Sequence, residues 1–330
     1  MSIRLASLFS GCGGFDLAFA QQGFRIVFAI DNDRHACETY RRNLGDHIVC
    51  ADIADYDLDS IPECDLIIGG FPCQDFSKIG HTNLFLGKGI ESERGNLYLN
   101  FVKAVARRQP VMFCAENVLG LLSANGGRAI QRIIDDFSSV GYMVYHTAVN
   151  FADYGVAQQR KRVFIFGVRK DCKGMMMLPL PTHLKSEWIT ASQAFEGVED
   201  VEANNEISEH KEITIERLRR IPPGGNWKNI PQGRYAPPGR AYLANYLRRL
   251  HPDRPAFTIL ANSGSGYLEY HYEHLRSLTN RERARLFGYA DDFFFCGAMG
   301  SVRRQIGNSV PPGGMPAFAE AIRLFIEEKK

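Results

Sequence analysis

The chain of 330 residues is 45% hydrophobic and 23% charged with a formal net charge of +2, an ordinary composition for a soluble protein, and neither demands nor excludes a nucleic-acid partner. Its eight cysteines (12, 37, 50, 64, 73, 114, 172 and 296) show no CxxC or Cys/His ligand spacing, so no metal site is expected. No signal-peptide h-region opens "MSIRLASLFSGCGG" and no run approaches the roughly 18 apolar residues of a membrane span, so the expected setting is the cytoplasm, with reduced thiols and no membrane.

From residue 3 to about 168 short apolar runs alternate with amphipathic stretches, the pattern of a βαβ sheet covered on both faces, and the length predicts a smaller second domain. "RLASLF" reads as the first strand and runs into Gly11, Gly13 and Gly14 ahead of a helix near 14–22. Counted from Gly11, a dinucleotide fingerprint G-x-G-x-x-G would end at Asp16. The missing third glycine disfavours NAD or FAD and favours a nucleoside ligand without a pyrophosphate. "FRIVFAI" leads to Asp31, where a carboxylate accepts from both ribose hydroxyls, and after a helix near 34–43 "HIVCADI" puts Asp52 at the same edge. Carboxylates at two successive strand ends suit an adenosine with a neutral or positive substituent, such as S-adenosylmethionine.

"DLIIGGFPCQDFS" contains a buried strand, Leu66 to Ile68, stopped abruptly by Gly69, Gly70 and Pro72. Cys73 is thereby delivered at the carboxyl end of a strand, where open α/β sheets bind ligands, although a free cysteine is ordinarily a core filler. A helix near 96–108 and the strand "VMFCAEN" follow, ending in Glu116 and Asn117. Beyond a helix near 126–139 and "MVYHTAV", Arg160 and Arg162 stand at the start of "RVFIFGV", two apart and so expected on one face.

Composition changes after "GVRK". Residues 187–212 hold eight acids against one lysine and read as a solvated, poorly ordered stretch. In 216–255 nine Lys/Arg face two acids, with Trp227, Tyr235, Tyr242 and Tyr246 interleaved, which is an electrostatic footprint for a polyphosphate.

A thiolate, a carboxyl and two guanidiniums match one chemistry. Cytosine C5 is a poor nucleophile until a thiolate adds at C6 and a proton donor neutralises charge building at N3; a buried Glu116 could supply that proton and the arginines hold the carbonyl oxygen. The blocks "LFSGCGGFDLAF", "DIADY", "GGFPCQDFS", "ENV", "DYGVAQQRKRVFIFGVR", "LTNRERARLFGYADDF" and "RQIGNSVPP", in that order, resemble the DNA (cytosine-5) methyltransferases of bacterial restriction–modification systems.

The resemblance implies a Rossmann-like, S-adenosylmethionine-dependent methyltransferase sheet in 1–180 and 300–330, with an inserted target-recognition domain and hinge in 181–299. It implies Cys73 as covalent nucleophile toward a flipped-out base, Glu116 facing N3, and Arg160 and Arg162 as active-site arginines. Phe9, Gly11, Gly13, Asp31, Asp52, Ile53 and Pro72 would line the cofactor site, joined by Asn308 and Ser309, while Ser77 would belong to a segment closing over DNA. In the basic segment Arg234 and Arg240, with Trp227 and Tyr235, are expected to enter the major groove, and 216–270 to set sequence choice. The implied partners are double-stranded DNA and a restriction endonuclease encoded nearby without a stable complex; a monomer in the cytoplasm, associated with the nucleoid, is expected. Two positions depart from the family pattern: Asn32 stands where an aromatic often follows the ribose-binding acid, and Ala290 where proline is usual. A tRNA cytosine-5 methyltransferase with the same catalytic residues and a catalytically silent nucleic-acid-binding module are the alternatives.

Overall fold

Runs of Leu, Ile, Val and Phe too short for helices, separated by helices with apolar residues three and four apart, fold into one mixed sheet. The computed structural model describes residues 2–72, 97–236, 245–261 and 267–330. In chain order the elements are β1 (Arg4–Leu8), α1 (Gly14–Gln21), β2 (Arg25–Asp31), α2 (Arg34–Leu44), β3 (Ile48–Cys50), β4 (Leu66–Gly69), α3 (Leu97–Arg108), β5 (Met112–Val118), α4 (Arg128–Ser139), β6 (Tyr142–Asn150), β7 (Gln158–Gln159) and β8 (Lys161–Arg169). There follow α5 (Ala191–Phe195), α6 (Glu212–Leu218), β9 (Ala256–Phe257), α7 (Asn280–Arg285), α8 (Met299–Asn308) and α9 (Pro316–Glu328). No helix among the described residues is long and apolar enough to cross a membrane.

Two compact units result, one of Met1–Asn150, Lys161–Leu180 and Met315–Lys330, the other of Phe151–Arg160 and Pro181–Gly314. Residues 151–160 and 300–314, which the sequence analysis assigns to the catalytic domain, therefore pack within the second unit.

The first unit carries the seven-stranded sheet, in the order β3-β2-β1-β4-β5-β8-β6. The first five strands are parallel, and β8 runs antiparallel to both β5 and β6. Because the chain builds outward from β1 to β3 and then restarts at β4, the order reverses between β1 and β4, a Rossmann-like switch point where ligands bind beyond the carboxyl ends. Central β4 is buried along its length and β5 at all but its last residue, while edge strand β6 alternates toward solvent, as their sequences demand. Phe101 of α3, Phe113 of β5 and Phe137 of α4 form the aromatic centre of the core, with Phe113 stacked on Phe137 at 4.1 Å between centroids. Pro316 starts α9, whose Phe318 stacks on Phe164 of β8 at 5.5 Å.

The second unit has little regular structure and is held by arginines. Arg249 donates to the carbonyls of His271, Leu218, Ile221, Tyr272 and Glu273. Arg281, on α7, donates to those of Ala203, Ala290 and Phe293, each at 3.0 Å. Arg283 pairs with Glu269 at 2.8 Å, both side chains fully buried. Charge-assisted bonds of this kind contribute about 1.5–3 kcal/mol each, and they satisfy carbonyls that a sheet would otherwise pair. The acidic stretch 187–212 is ordered for the same reason, contrary to the sequence expectation. Arg285 donates to the Glu196 and Gly197 carbonyls, Asn204 exchanges two hydrogen bonds with the Phe295 backbone, and Phe195 and Val198 are buried.

Candidate active site

Beyond β1 the chain makes a tight turn whose first residue, Phe9, holds φ 56°, a left-handed conformation that costs a non-glycine residue about 1–2 kcal/mol. The Gly11 N–H donates to Asp31 Oδ2 at 2.8 Å and the Asp33 N–H to Oδ1 at 2.9 Å, so the carboxylate at the end of β2 is fixed by the turn it faces. Burial pushes the Asp31 pKa above its ordinary value, with those two N–H donors opposing the rise. Gly13, at φ 89°, caps α1, and a Cβ there would lie 2.3 Å from Leu44 Cδ1. Asp52 accepts from Ala54 N at 2.9 Å and from Asn32 Nδ2 at 3.4 Å. The Asn32 side chain thus links the loops of the two strand-end acids. Ile53 is buried in the core of the sheet, and Pro72 is half-buried after β4.

At the carboxyl end of β5, Glu116 is 8% exposed and its Oε1 lies 2.8 Å from Arg162 Nε. The next residue, Asn117, donates from Nδ2 to the Phe71 carbonyl at 3.3 Å, and a Cβ on Gly70 would come within 3.2 Å of Glu116 Oε2. Gly70 therefore permits the segment leading to Cys73 to run past the carboxylate. Cys73 and Ser77 lie outside the described residues.

Arg160 immediately precedes β8, which begins at Lys161. Its guanidinium is buried in the second unit, where it donates to the carbonyls of Ile259 (3.2 Å), Gly307 (2.9 Å) and Ser309 (3.1 Å) and lies over the Phe287 ring. Arg160 and the Asn308–Ser309 turn, singled out separately in the sequence, are brought together here. Ser309 Oγ bonds Tyr289 Oη at 2.5 Å and donates to the Val310 carbonyl, while Asn308 is exposed at the end of α8.

The family model described as C-5 cytosine-specific DNA methylase matches residues 3–323. The chain belongs to that family. Its enzyme class is DNA (cytosine-5-)-methyltransferase. Among curated relatives, the Type II methyltransferase M.NgoFVII of Neisseria gonorrhoeae is 44% identical over 97% of this chain and 86% of its own length. The Type II methyltransferase M.BbvI of Brevibacillus brevis is 38% identical over 98% and 91%. A crystal structure of a candidate DNA modification methyltransferase encoded within an E. coli prophage shares the fold, with TM-score 0.77 at 24% identity over 99% of this chain and 100% of that one.

In the methylase's basic segment the charges are less available than their number implies. Arg249 is buried, Arg217 donates to the Tyr235 carbonyl at 3.0 Å, and Arg219 and Arg220 pair with Glu216. Trp227 and Tyr235 are half-buried and pack against the apolar cluster of Leu218, Ile221, Ile230, Tyr246, Leu247 and Tyr270. Arg234 is exposed, 5.6 Å over the Tyr235 ring, and Arg240 lies outside the described residues. In the sequence Asp16 reads only as a missing glycine. It is a buried acceptor from Ser7 Oγ (2.9 Å) and Tyr40 Oη (2.8 Å), with burial pushing its pKa up to about 6. The signal was present as a lone carboxylate in the apolar helix "GFDLAFA".

Proposed function

We propose that this methylase transfers a methyl group from S-adenosylmethionine to C5 of cytosine in one short sequence of double-stranded DNA, as the protective enzyme of a restriction–modification system. The observation that carries the reading is the Glu116–Arg162 pair at 2.8 Å beside the Gly70 backbone, three residues before Cys73. In the proposed reaction a flipped-out cytosine accepts the Cys73 thiolate at C6 while the Glu116 carboxyl holds a proton at N3, making C5 enamine-like. C5 would then take the methyl carbon as its bond to the sulfonium sulfur breaks, the thioether S-adenosylhomocysteine leaving; transfer of the C5 proton to a base would expel the Cys73 thiolate and restore the ring. Arg162 orients Glu116, and Arg160 acts indirectly, by holding the turn of Asn308 and Ser309.

S-adenosylmethionine supplies an electrophilic methyl on sulfur. Residues of the first unit fit that group: each Asp31 oxygen accepts one backbone N–H and keeps a lone pair for a ribose hydroxyl, and a Cβ on Gly11 would meet nothing within 4 Å, leaving room beside it. Phe9, Gly13, Asp52, Ile53 and Pro72 are the remaining proposed cofactor residues of that unit, with Asn308 and Ser309 from the second. Ser77, Arg234 and Arg240 are the proposed DNA contacts. The enzyme is proposed to act as a cytoplasmic monomer beside a separately folded nuclease.

The test is transfer of a labelled methyl group to unmethylated duplex DNA by wild type and Cys73→Ala, followed by mapping of modified cytosines. Label at C5 in one recurring short sequence, absent from the variant, is expected. Label on tRNA but not DNA would replace the substrate, and substantial turnover by Cys73→Ala would end the thiol mechanism.

A further inference from the structure

The buried arginines of the second unit are satisfied by carbonyls or carboxylates, and Arg303 of α8 breaks that pattern. Its side chain is half-buried, its Nε is shut off from water with no acceptor, and it makes no hydrogen bond or ion pair to another described residue. The nearby carboxylate of Glu269 is already committed: Oε2 accepts from Arg283 Nε (3.0 Å) and Nη2 (2.8 Å), and Oε1 from the Leu260 N–H (3.2 Å). Arg283 and Glu269 cancel, so the charge of Arg303 is left over. Burial and the Arg283 charge pull the Arg303 pKa down to about 10, with Glu269 partly opposing, which is the signature of a cation short of an anion.

Arg248 is in a similar position. Its guanidinium lies 3.9 Å over the Phe257 ring, burial lowers its pKa, and its carbonyl accepts the Tyr270 N–H at 3.1 Å, next to Glu269. A guanidinium with a free planar fork matches a phosphate, and DNA brings one phosphate per nucleotide. Resting on the reading that duplex DNA is the substrate, we propose that Arg303, with Arg248 against the same Glu269–Tyr270 segment, seats backbone phosphates of the duplex. These contacts would fix the register of the DNA without reading its bases.

The experiment is anisotropy of the full chain with duplexes that carry or lack the mapped site, over roughly 50–200 mM salt. Arg303→Gln is expected to weaken both duplexes by the same factor, roughly 5- to 20-fold at the low-salt end, and to reduce the slope of log K against log salt by about 0.9. Arg303→Lys, which keeps the charge but loses the fork, should weaken binding with the slope kept. An unchanged slope in a folded Arg303→Gln, or a loss confined to the site-bearing duplex, overturns the proposal. If Arg303→Gln fails to fold, phenylglyoxal modification of wild type decides: duplex should protect Arg303, and equal modification with and without DNA overturns the assignment. A wild type that neither binds nor methylates duplex DNA would instead remove the parent reading, whereas a methylating enzyme with Arg303 unprotected removes this one alone.

Discussion

Glu116 is the residue whose chemistry can be separated from its packing. It is buried and held by Arg162, so removing the charge without changing the shape leaves a side chain that can still hydrogen-bond the guanidinium through its amide oxygen. Glu116→Gln is therefore expected to slow methyl transfer by roughly 10²–10⁴-fold, the usual loss of a positioned acid, while cofactor affinity stays within about threefold. Single-turnover rates and calorimetric binding would check it, and equal losses in both would reassign Glu116 to the cofactor. The acid, its neighbour Asn117 and the strand-end aspartates were legible because strand ends can be read from hydrophobic runs that stop. The partners of Arg160 were not, because the carbonyls of Ile259, Gly307 and Ser309 to which its guanidinium donates lie up to 149 positions away.

At the scale of elements, α1 carries a charge problem that its sequence poses and its surroundings only partly solve. Asp16 accepts two hydroxyl hydrogen bonds, and Tyr40 extends the chain to His47 Nε2 at 3.0 Å, yet burial still raises Asp16 from 3.8 to about 6. A carboxyl whose folded value lies above its unfolded one is preferred protonated by the fold. Its stabilising contribution is thus present below about pH 4 and lost as pH rises through 6, a change on the order of 3 kcal/mol. Asp16→Asn, whose amide can bond both hydroxyls, removes that dependence. Denaturant unfolding should show the variant gaining on wild type between pH 4 and 7, and parallel pH curves would refute the assignment. Elsewhere periodicity sufficed: the seven apolar runs are the seven strands of the main sheet, and helices expected at 34–43 and 96–108 occur at Arg34–Leu44 and Leu97–Arg108. Charge density misled at 187–212, since acids on the surface say nothing of the buried Phe195 and Val198 or of the α7 arginine that binds its carbonyls.

For the whole molecule, the two units differ in what holds them. The first is a sheet whose ladders satisfy the backbone, and the second satisfies much of its backbone through side chains, so its loops can change sequence without breaking a ladder. Within the second unit, the cluster of Leu218, Ile221, Ile230, Tyr246, Leu247 and Tyr270 gives 216–270 an apolar centre of its own. Arg249, which staples that centre to His271, Tyr272 and Glu273, is the residue a graft must retain. Replacing 216–270 with the matching segment of a relative of different specificity, Arg249 or its equivalent kept, is expected to move methylation to the relative's site. Cytosine mapping of genomic DNA exposed to the chimera reads the outcome directly. A folded, active chimera that still modifies the original site would show that sequence choice resides outside 216–270. The phosphate contact proposed for Arg303, which lies outside the grafted segment, would serve either specificity, because it holds the duplex wherever its bases are read.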